Sequence, residues 1–287
     1  MPRRLCGIRM VLSGKRKKDM EETLEDRMKG YEAVTRTVMT GRLPVIIRVD
    51  GKAFHTFTRG MTKPFDRVCS ESMKAAMLAL CSEIEGTVVG YWQSDEITIV
   101  LAGGCVPGSM PWFGNSVQKC ASIAASIATR AFNAKFMELT DAADMRKKYE
   151  KQRKALATFD ARAFPLPWGE VCNCLIWRQF DAIRNSVSSL AQANFSQKEL
   201  GGKKAADMKA MLKEKGNDWD SLPTEFKRGA CAIKKKMKVT CPDGSETERS
   251  KWVIDGEIPL FSEKREYVTE RLEEKVGSLE ELSEKPM

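Results

Sequence analysis

Leu43–Gly51 (LPVIIRVDG) and Val88–Leu101 (VVGYWQSDEITIVL) decide the fold. The first is a short β-branched run, opened by a proline and closed by Asp50-Gly51. That composition predicts a buried strand over Leu43–Val49 ending in a turn. The second holds two strand-like runs, Val88 to Trp92 and Glu96 to Leu101, parted only by Gln93-Ser94-Asp95. So short a break predicts a tight antiparallel hairpin.

Working outward, Cys69, Met73, Ala76, Met77, Leu80 and Ile84 recur at intervals of three and four. They predict a helix from about Asp66 to Ile84 with one apolar face. A second helix is expected over Ser116–Leu139, with Val117, Cys120, Ala124, Ile127 and Ala131 on one side. Its many alanines and serines suit close packing on a sheet. The order is therefore β, α, β, β, α. Phe159–Phe164 (FDARAF) is the best further strand, and it would complete a split βαβ sheet of ferredoxin type. The class is α+β.

Past that point the composition changes. Residues 172–195 read as a helix of mixed aromatic and polar character, and Lys203–Lys215 as a short basic amphipathic stretch. Lys227–Lys238 (KRGACAIKKKMK) is the densest basic cluster, and the end from Ser262 is charged and helical in pattern. The expected organisation is a flexible extension over 1–19, a catalytic domain over 20–165, and a mainly helical, basic region for RNA binding and assembly over 166–287.

The whole chain has 287 residues, 42% hydrophobic and 30% charged, which fits a globular protein with a substantial core. No apolar run approaches the roughly 18–20 residues of a membrane span, so no membrane association is expected. The basic N-terminus lacks the apolar core of a secretion signal, so a cytoplasmic protein is expected. The net charge of +9 favours a polyanionic partner such as nucleic acid. Nine cysteines without a CxxC pair read as free thiols. The single histidine, His55, excludes multi-His metal sites and argues against a Ser-His-Asp triad.

Asp50 and Asp95 carry the chemistry. One ends a strand and the other sits in a hairpin turn. If those strands are neighbours, both carboxylates reach the same edge. An all-oxygen donor set suits Mg²⁺, and the Gly51 carbonyl can join it. Metal pairs about 3.5–4 Å apart are the usual machinery for in-line displacement at phosphorus. Either motif alone reads equally well as an ordinary turn. Together, with Lys52, Arg59 and Lys63 nearby, they point to metal-assisted phosphoryl chemistry. A nucleic-acid binder without catalysis and a nucleotide-only enzyme such as a cyclase stay open on these residues alone.

The runs RVDGKAFHTFT (Arg48–Thr58), TKPFD (Thr62–Asp66) and GYWQSDEITIVL (Gly90–Leu101) resemble the tRNA-histidine guanylyltransferase family, the 3′-to-5′ nucleotidyltransferases. WFGNSVQKCAS (Trp112–Ser122), FDARAF, WRQFDAIRNS (Trp177–Ser186) and LPTEFKRG (Leu222–Gly229) follow in order, so the likeness spans roughly residues 24–255. The resemblance implies a palm-like catalytic sheet. It implies two Mg²⁺ ions on Asp50, Asp95 and the Gly51 carbonyl, with Glu96 in support as a catalytic group. It places Gly51, Lys52, Ala53, Phe54 and His55 in a loop that holds the triphosphate. Lys63, Asp66, Ser94, Asn115, Lys119 and Ser122 are also implied at the nucleotide.

For RNA, the resemblance brings Arg178, Asp181 and Asn185 near the activation chemistry, the last two spaced i and i+4. Arg228 joins them, and Lys234, Lys235 and Lys236 are the expected phosphate-backbone contacts. ATP and GTP are the implied substrates, tRNA the partner and a homotetramer the assembly. Members that add one guanylate to tRNA-histidine carry a His-Ile-Asn segment, whose histidine is replaced here by Ile183. The run Ser186–Lys203 resembles the bacterial and archaeal guanylyltransferase-like branch. Template-dependent repair of 5′-truncated tRNA is therefore the expected reaction, ahead of single guanylate addition.

Overall fold

A computed structural model describes residues 22–106, 108–240 and 246–277. The extension expected at 1–19, and the charged end from 278, lie outside them. The chain divides at Arg36. In the first unit, helix α1 (Leu24–Ala33) starts at Thr23, whose hydroxyl and Asp26 close a capping box. All that follows concerns the second unit, from Thr37 onward.

Strand β1 (Val45–Gly51) leads through the one-turn helix α2 (Phe54–Phe57) to α3 (Arg67–Glu83). The hairpin is β2 (Thr87–Gln93) and β3 (Glu96–Leu101). Helices α4 (Val117–Leu139), α5 (Ala143–Lys148) and α6 (Glu150–Ala155) precede β4 (Phe159–Pro165). Four more helices follow: α7 (Trp168–Asn194), α8 (Gln197–Leu200), α9 (Ala205–Glu214) and α10 (Thr224–Arg228). Strands β5 (Ala230–Thr240) and β6 (Glu246–Asp255) and helix α11 (Glu266–Val276) complete the described chain.

One antiparallel sheet runs in the order β4-β1-β3-β2-β5-β6. Its first four strands have the ferredoxin-type order, so FDARAF does supply the closing strand. Side chains alternate across the sheet with period two. Ile47, Val49, Ile97 and Ile99 face α3 and α4, which bring Met73, Met77, Leu80, Phe132 and Phe136 to one core. Ile46, Val100, Val89 and Tyr91 face Val171 and Leu175 of α7 and Val268 and Leu272 of α11. Full burial of each such aliphatic contributes about 1.5–3 kcal/mol. The central strands are thus covered on both faces, which is why their sequence reads as continuous hydrophobic runs.

The late strands are the main departure from the pattern read in the sequence. Among the described side chains of β5, Ala230–Ile233 are buried and Lys234–Lys238 are exposed. A ribbon solvated on both faces shows no apolar alternation, so its lysines read as a charged cluster rather than as a strand. The seven cysteines among the described residues are unpaired, in line with free thiols. No helix among the described residues is long and apolar enough to cross a membrane.

Candidate active site

The register pairs Asp50 with Glu96 across β1 and β3, and the Gly51 N–H donates to the Asp95 carbonyl at 3.0 Å. The strand end and the hairpin turn therefore meet at one sheet edge. Ser94, at φ 52°, makes the tight turn in a left-handed conformation uncommon for a residue with a Cβ. The turn is held by the Trp92 indole N–H donating to the Ser94 carbonyl at 2.8 Å and by the Ser94 hydroxyl donating to Asp95 Oδ1 at 3.0 Å. Burial, and then the negative charge of Asp50, push the Asp95 carboxyl above its ordinary range.

That raised carboxyl is the test of fit for a metal. Asp50, Asp95 and the Gly51 carbonyl offer only oxygen donors, the charge of Asp50 acts on Asp95, and no ion pair joins either carboxylate to a cationic side chain among the described residues. A divalent cation relieves that repulsion. Among the described residues, no group of three or more His, Cys, Asp or Glu side chains is gathered in advance to hold one. Gly51 itself cannot carry a side chain, since a Cβ there would lie 2.3 Å from the Phe54 ring.

Beside Asp95 opens a cavity of about 580 Å³, within the range of small-molecule sites. Of the expected site residues, Phe54, His55, Lys63, Asp66, Ser94, Asp95, Asn185 and Arg228 line it. Arg59 and Lys227 add cationic groups, and Phe65 and Phe226 stack at 4.7 Å in its wall. Lys52 and Ala53 are exposed in the preceding loop. Ala53 is left-handed at φ 53°, and the N–H groups of Ala53, Phe54 and His55 have no backbone acceptor among the described residues. A turn with free N–H groups is an anion-binding shape.

Other expected residues do different work. The Asp66 carboxylate caps α3 through the Cys69 N–H at 3.1 Å and accepts from the Thr62 N–H at 3.0 Å and the Tyr149 hydroxyl at 2.8 Å. Glu96 and Arg178 are the two ends of one buried ion pair at 2.6 Å, so both lie inside the protein rather than at its surface. Arg178 also reaches Asp181 at 2.9 Å, and Asn185 donates to Asp181 at 3.3 Å, as the i, i+4 spacing requires. Asn115 is buried, and its amide donates to the Thr40 carbonyl at 3.5 Å. Lys119 and Ser122 are exposed on α4 and do not line the cavity. Lys234, Lys235 and Lys236 lie on β5, also away from it.

Several lining residues carried no individual signal in the sequence. Ser186, Ser189 and Gln192 continue one face of α7 beyond Asn185, a polar stripe that helical spacing from Asn185 would have found. Phe226 and Lys227 fall inside the LPTEFKRG motif. Cys69 also lines the cavity, but burial and the charges of Asp66 and Asp95 push its thiol up to about 12, which argues against a cysteine nucleophile.

The family model described as tRNAHis guanylyltransferase matches residues 25–167. A solved bacterial tRNA(His) guanylyltransferase-like protein in complex with ATP is 41% identical, with a TM-score of 0.75, over 87% of this chain and 99% of that one. The chain belongs to the tRNA(His) guanylyltransferase family. It is accordingly a nucleotidyltransferase. The guanylyltransferase-like structure in complex with GTP is 39% identical, with a TM-score of 0.71, over 86% of this chain and 98% of that one. A probable tRNA(His) guanylyltransferase of Dictyostelium discoideum is 26% identical over 77% of this chain and 86% of its own length.

Where this guanylyltransferase-family chain passes from α10 into β5, Gly229 holds the cavity wall against the hairpin. Its φ is +87°, and a Cβ would lie 2.3 Å from the Trp92 carbonyl oxygen. Tyr91 meanwhile donates its hydroxyl to the Arg228 carbonyl at 2.7 Å. Gly229→Ala must push β5 off β2, so we expect a loss of about 3 kcal/mol in denaturant unfolding, with a raised KM for nucleotide in the folded fraction. Unchanged stability would contradict this packing.

Proposed function

We propose that this protein adds nucleotides to the 5′ end of tRNA, and that its reaction is template-dependent repair of a 5′-truncated end after ATP-dependent 5′-adenylylation. The observation that carries the reading is Asp95, under the charge of Asp50, in the lining of a cavity that also holds His55, Arg59, Lys63, Lys227 and Arg228. The bacterial guanylyltransferase-like structures in complex with ATP and with GTP support nucleotide substrates. The replacement of the family histidine by Ile183 favours repair over single guanylate addition.

Asp50, Asp95 and the Gly51 carbonyl are the residues that would hold two Mg²⁺ ions. Bound there, the metals would supply charge neutralisation and a lowered pKa for an attacking hydroxyl. The chain's own groups do the rest. The N–H groups of Ala53, Phe54 and His55 are the donors the 51–55 loop offers a triphosphate. Lys63, Arg59 and Lys227 offset charge that builds on the phosphates in the transition state. Asn185 and Ser189 of α7 also line the cavity, where hydrogen bonds would orient the nucleotide for in-line attack. Arg178 clamps Glu96 to Asp181 and so fixes the position of β3, and with it the Asp95 turn, against α7.

The test is a 5′-truncated, 5′-monophosphorylated tRNA with labelled nucleotides. Addition complementary to the opposite strand, requiring ATP, is the expected result. One guanylate placed on full-length tRNA(His) regardless of template would favour the guanylate-adding branch. Turnover of ATP or GTP with no RNA chain product would point to a nucleotide-only enzyme. Assembly as a homotetramer, carried over from the resemblance, is checked by light scattering.

A further inference from the structure

β2 holds β5 only through Ala230, Cys231 and Ala232. Beyond them β5 pairs with β6 alone, in continuous register from Ile233↔Val253 to Thr240↔Glu246. The result is a two-stranded arm leaving the sheet edge. A hairpin of this kind is at best marginally stable by itself in water. Period-two alternation sorts its side chains into two faces.

The faces differ in charge. On one lie Lys234, Lys236 and Lys238, facing Trp252, Ser250 and Glu248. Lys234 stands over the Trp252 ring at 5.1 Å, and Lys238 is paired in register with an acid. On the other lie Lys235 and Met237, facing Lys251 and Arg249. Lys235 and Lys251 are directly opposed, and no acidic side chain lies on this face among the described residues of the arm. All four are exposed. No ion pair joins any of the three cations to a carboxylate among the described residues. Like charges directly opposite on a ribbon are destabilising and serve no purpose in the folded chain alone. An external row of anions removes the penalty.

We infer that the Lys235/Arg249/Lys251 face of the β5–β6 arm is a docking surface for the phosphate backbone of the tRNA, well away from the reacting 5′ end. This rests on the proposed RNA substrate and names the surface that holds it. It also redraws the expected contact set, because Lys234 and Lys236 point to the other face from Lys235. β5 runs away from the hairpin turn, so Lys235 lies about eight strand residues from Asp95. At about 3.3 Å per residue that is roughly 25 Å. At that distance the arm would touch the RNA well back from the end being extended, beyond the reach of a short stem. Lysine and arginine contacts of this kind set register and affinity and do not read bases.

The experiment compares the full-length wild-type protein, the triple variant Lys235→Gln/Arg249→Gln/Lys251→Gln and the control Lys234→Gln/Lys236→Gln. Each is tested on intact tRNA and on a stem-loop whose stem has only about four base pairs. For the triple variant we expect tRNA affinity to fall about 10- to 100-fold near physiological salt. The slope of log K against log salt should flatten by about 2–3, near 0.9 per lost contact. KM for ATP and affinity for the short stem-loop should stay as in wild type, the melting temperature should not fall, and the control should keep the wild-type slope on tRNA. An unchanged slope in the triple variant, or a flattening confined to the control, would overturn the inference. So would a changed oligomeric state with an unchanged slope, which would make the face a contact between copies. Wild-type transfer to tRNA with an indifferent triple variant sinks only the docking surface. Absence of tRNA binding by the wild type sinks both it and the proposed function.

Discussion

Asp95→Asn will abolish nucleotide transfer while leaving the metal-free protein folded and slightly more heat-stable. The catalytic loss should be a thousandfold or more, equivalent to ~4 kcal/mol of barrier, because the variant gives up one of two carboxylates available for metal. The gain in stability has a separate origin. Burial and the charge of Asp50 raise the Asp95 carboxyl, so its ionised form at neutral pH is a penalty in the folded chain. The sign follows from linkage: Asp95 favours folding while protonated, and that contribution is lost as pH rises from the ordinary aspartate range through the raised value. An amide of the same shape removes the charge. A melting temperature 1–3 °C above wild type at pH 7 is expected, with the difference vanishing in acid, at about 2–4 °C per kcal/mol. Mg²⁺ should raise the melting temperature of wild type but not of the variant. A variant that keeps turning over, or gains as much from Mg²⁺ as wild type, would defeat the assignment of Asp95.

Arg178→Ala will destabilise the protein severely. Glu96 accepts from Arg178 at 2.6 Å, and the two side chains are about 9% and 10% exposed. Its other cation, Arg48, is 3.9 Å away. Truncating the arginine leaves a buried carboxylate with poor compensation, and breaking such a pair from one side costs about 3–5 kcal/mol. A fall in melting temperature on the order of 10 °C is expected. Removing both charges, as Glu96→Gln/Arg178→Met, should restore most of it, because the closest buried carboxylate–guanidinium pair is then removed as a unit. If the single and double variants melt alike, the pair is not what holds β3 to α7. The recovered double variant should still be slower than wild type, since Asp181, also bound by Arg184, loses the partner that ties α7 to the hairpin.

Much of this architecture was legible in the residues. β1, the β2–β3 hairpin, α3 and α4 carry strong periodicity because each buries a face or both faces, and FDARAF was found as the strand that closes the ferredoxin-type order. Asp50 and Asp95 were legible for a local reason: each ends or turns a strand whose identity is plain. β5 and β6 were not legible as strands, because among their described side chains only the first residues of β5 are buried and the rest is wet on both sides. Glu96 and Arg178 looked like functional charges. Nothing local says that a charged residue will be buried, since burial depends on which helix comes to rest on that face of the sheet.

By itself the sequence determined the order of elements, the two acidic turns and the basic character of the second half, because periodicity and turn chemistry act over a few residues. The tertiary structure alone decided that β5 and β6 join the edge beside β2, that α7 lowers Arg178 onto Glu96, and that Lys235 meets Lys251 across a ribbon. Each of these is a contact between segments far apart in the chain. Its energy comes from burial and from charge at close range, and neither exists until the sheet has formed.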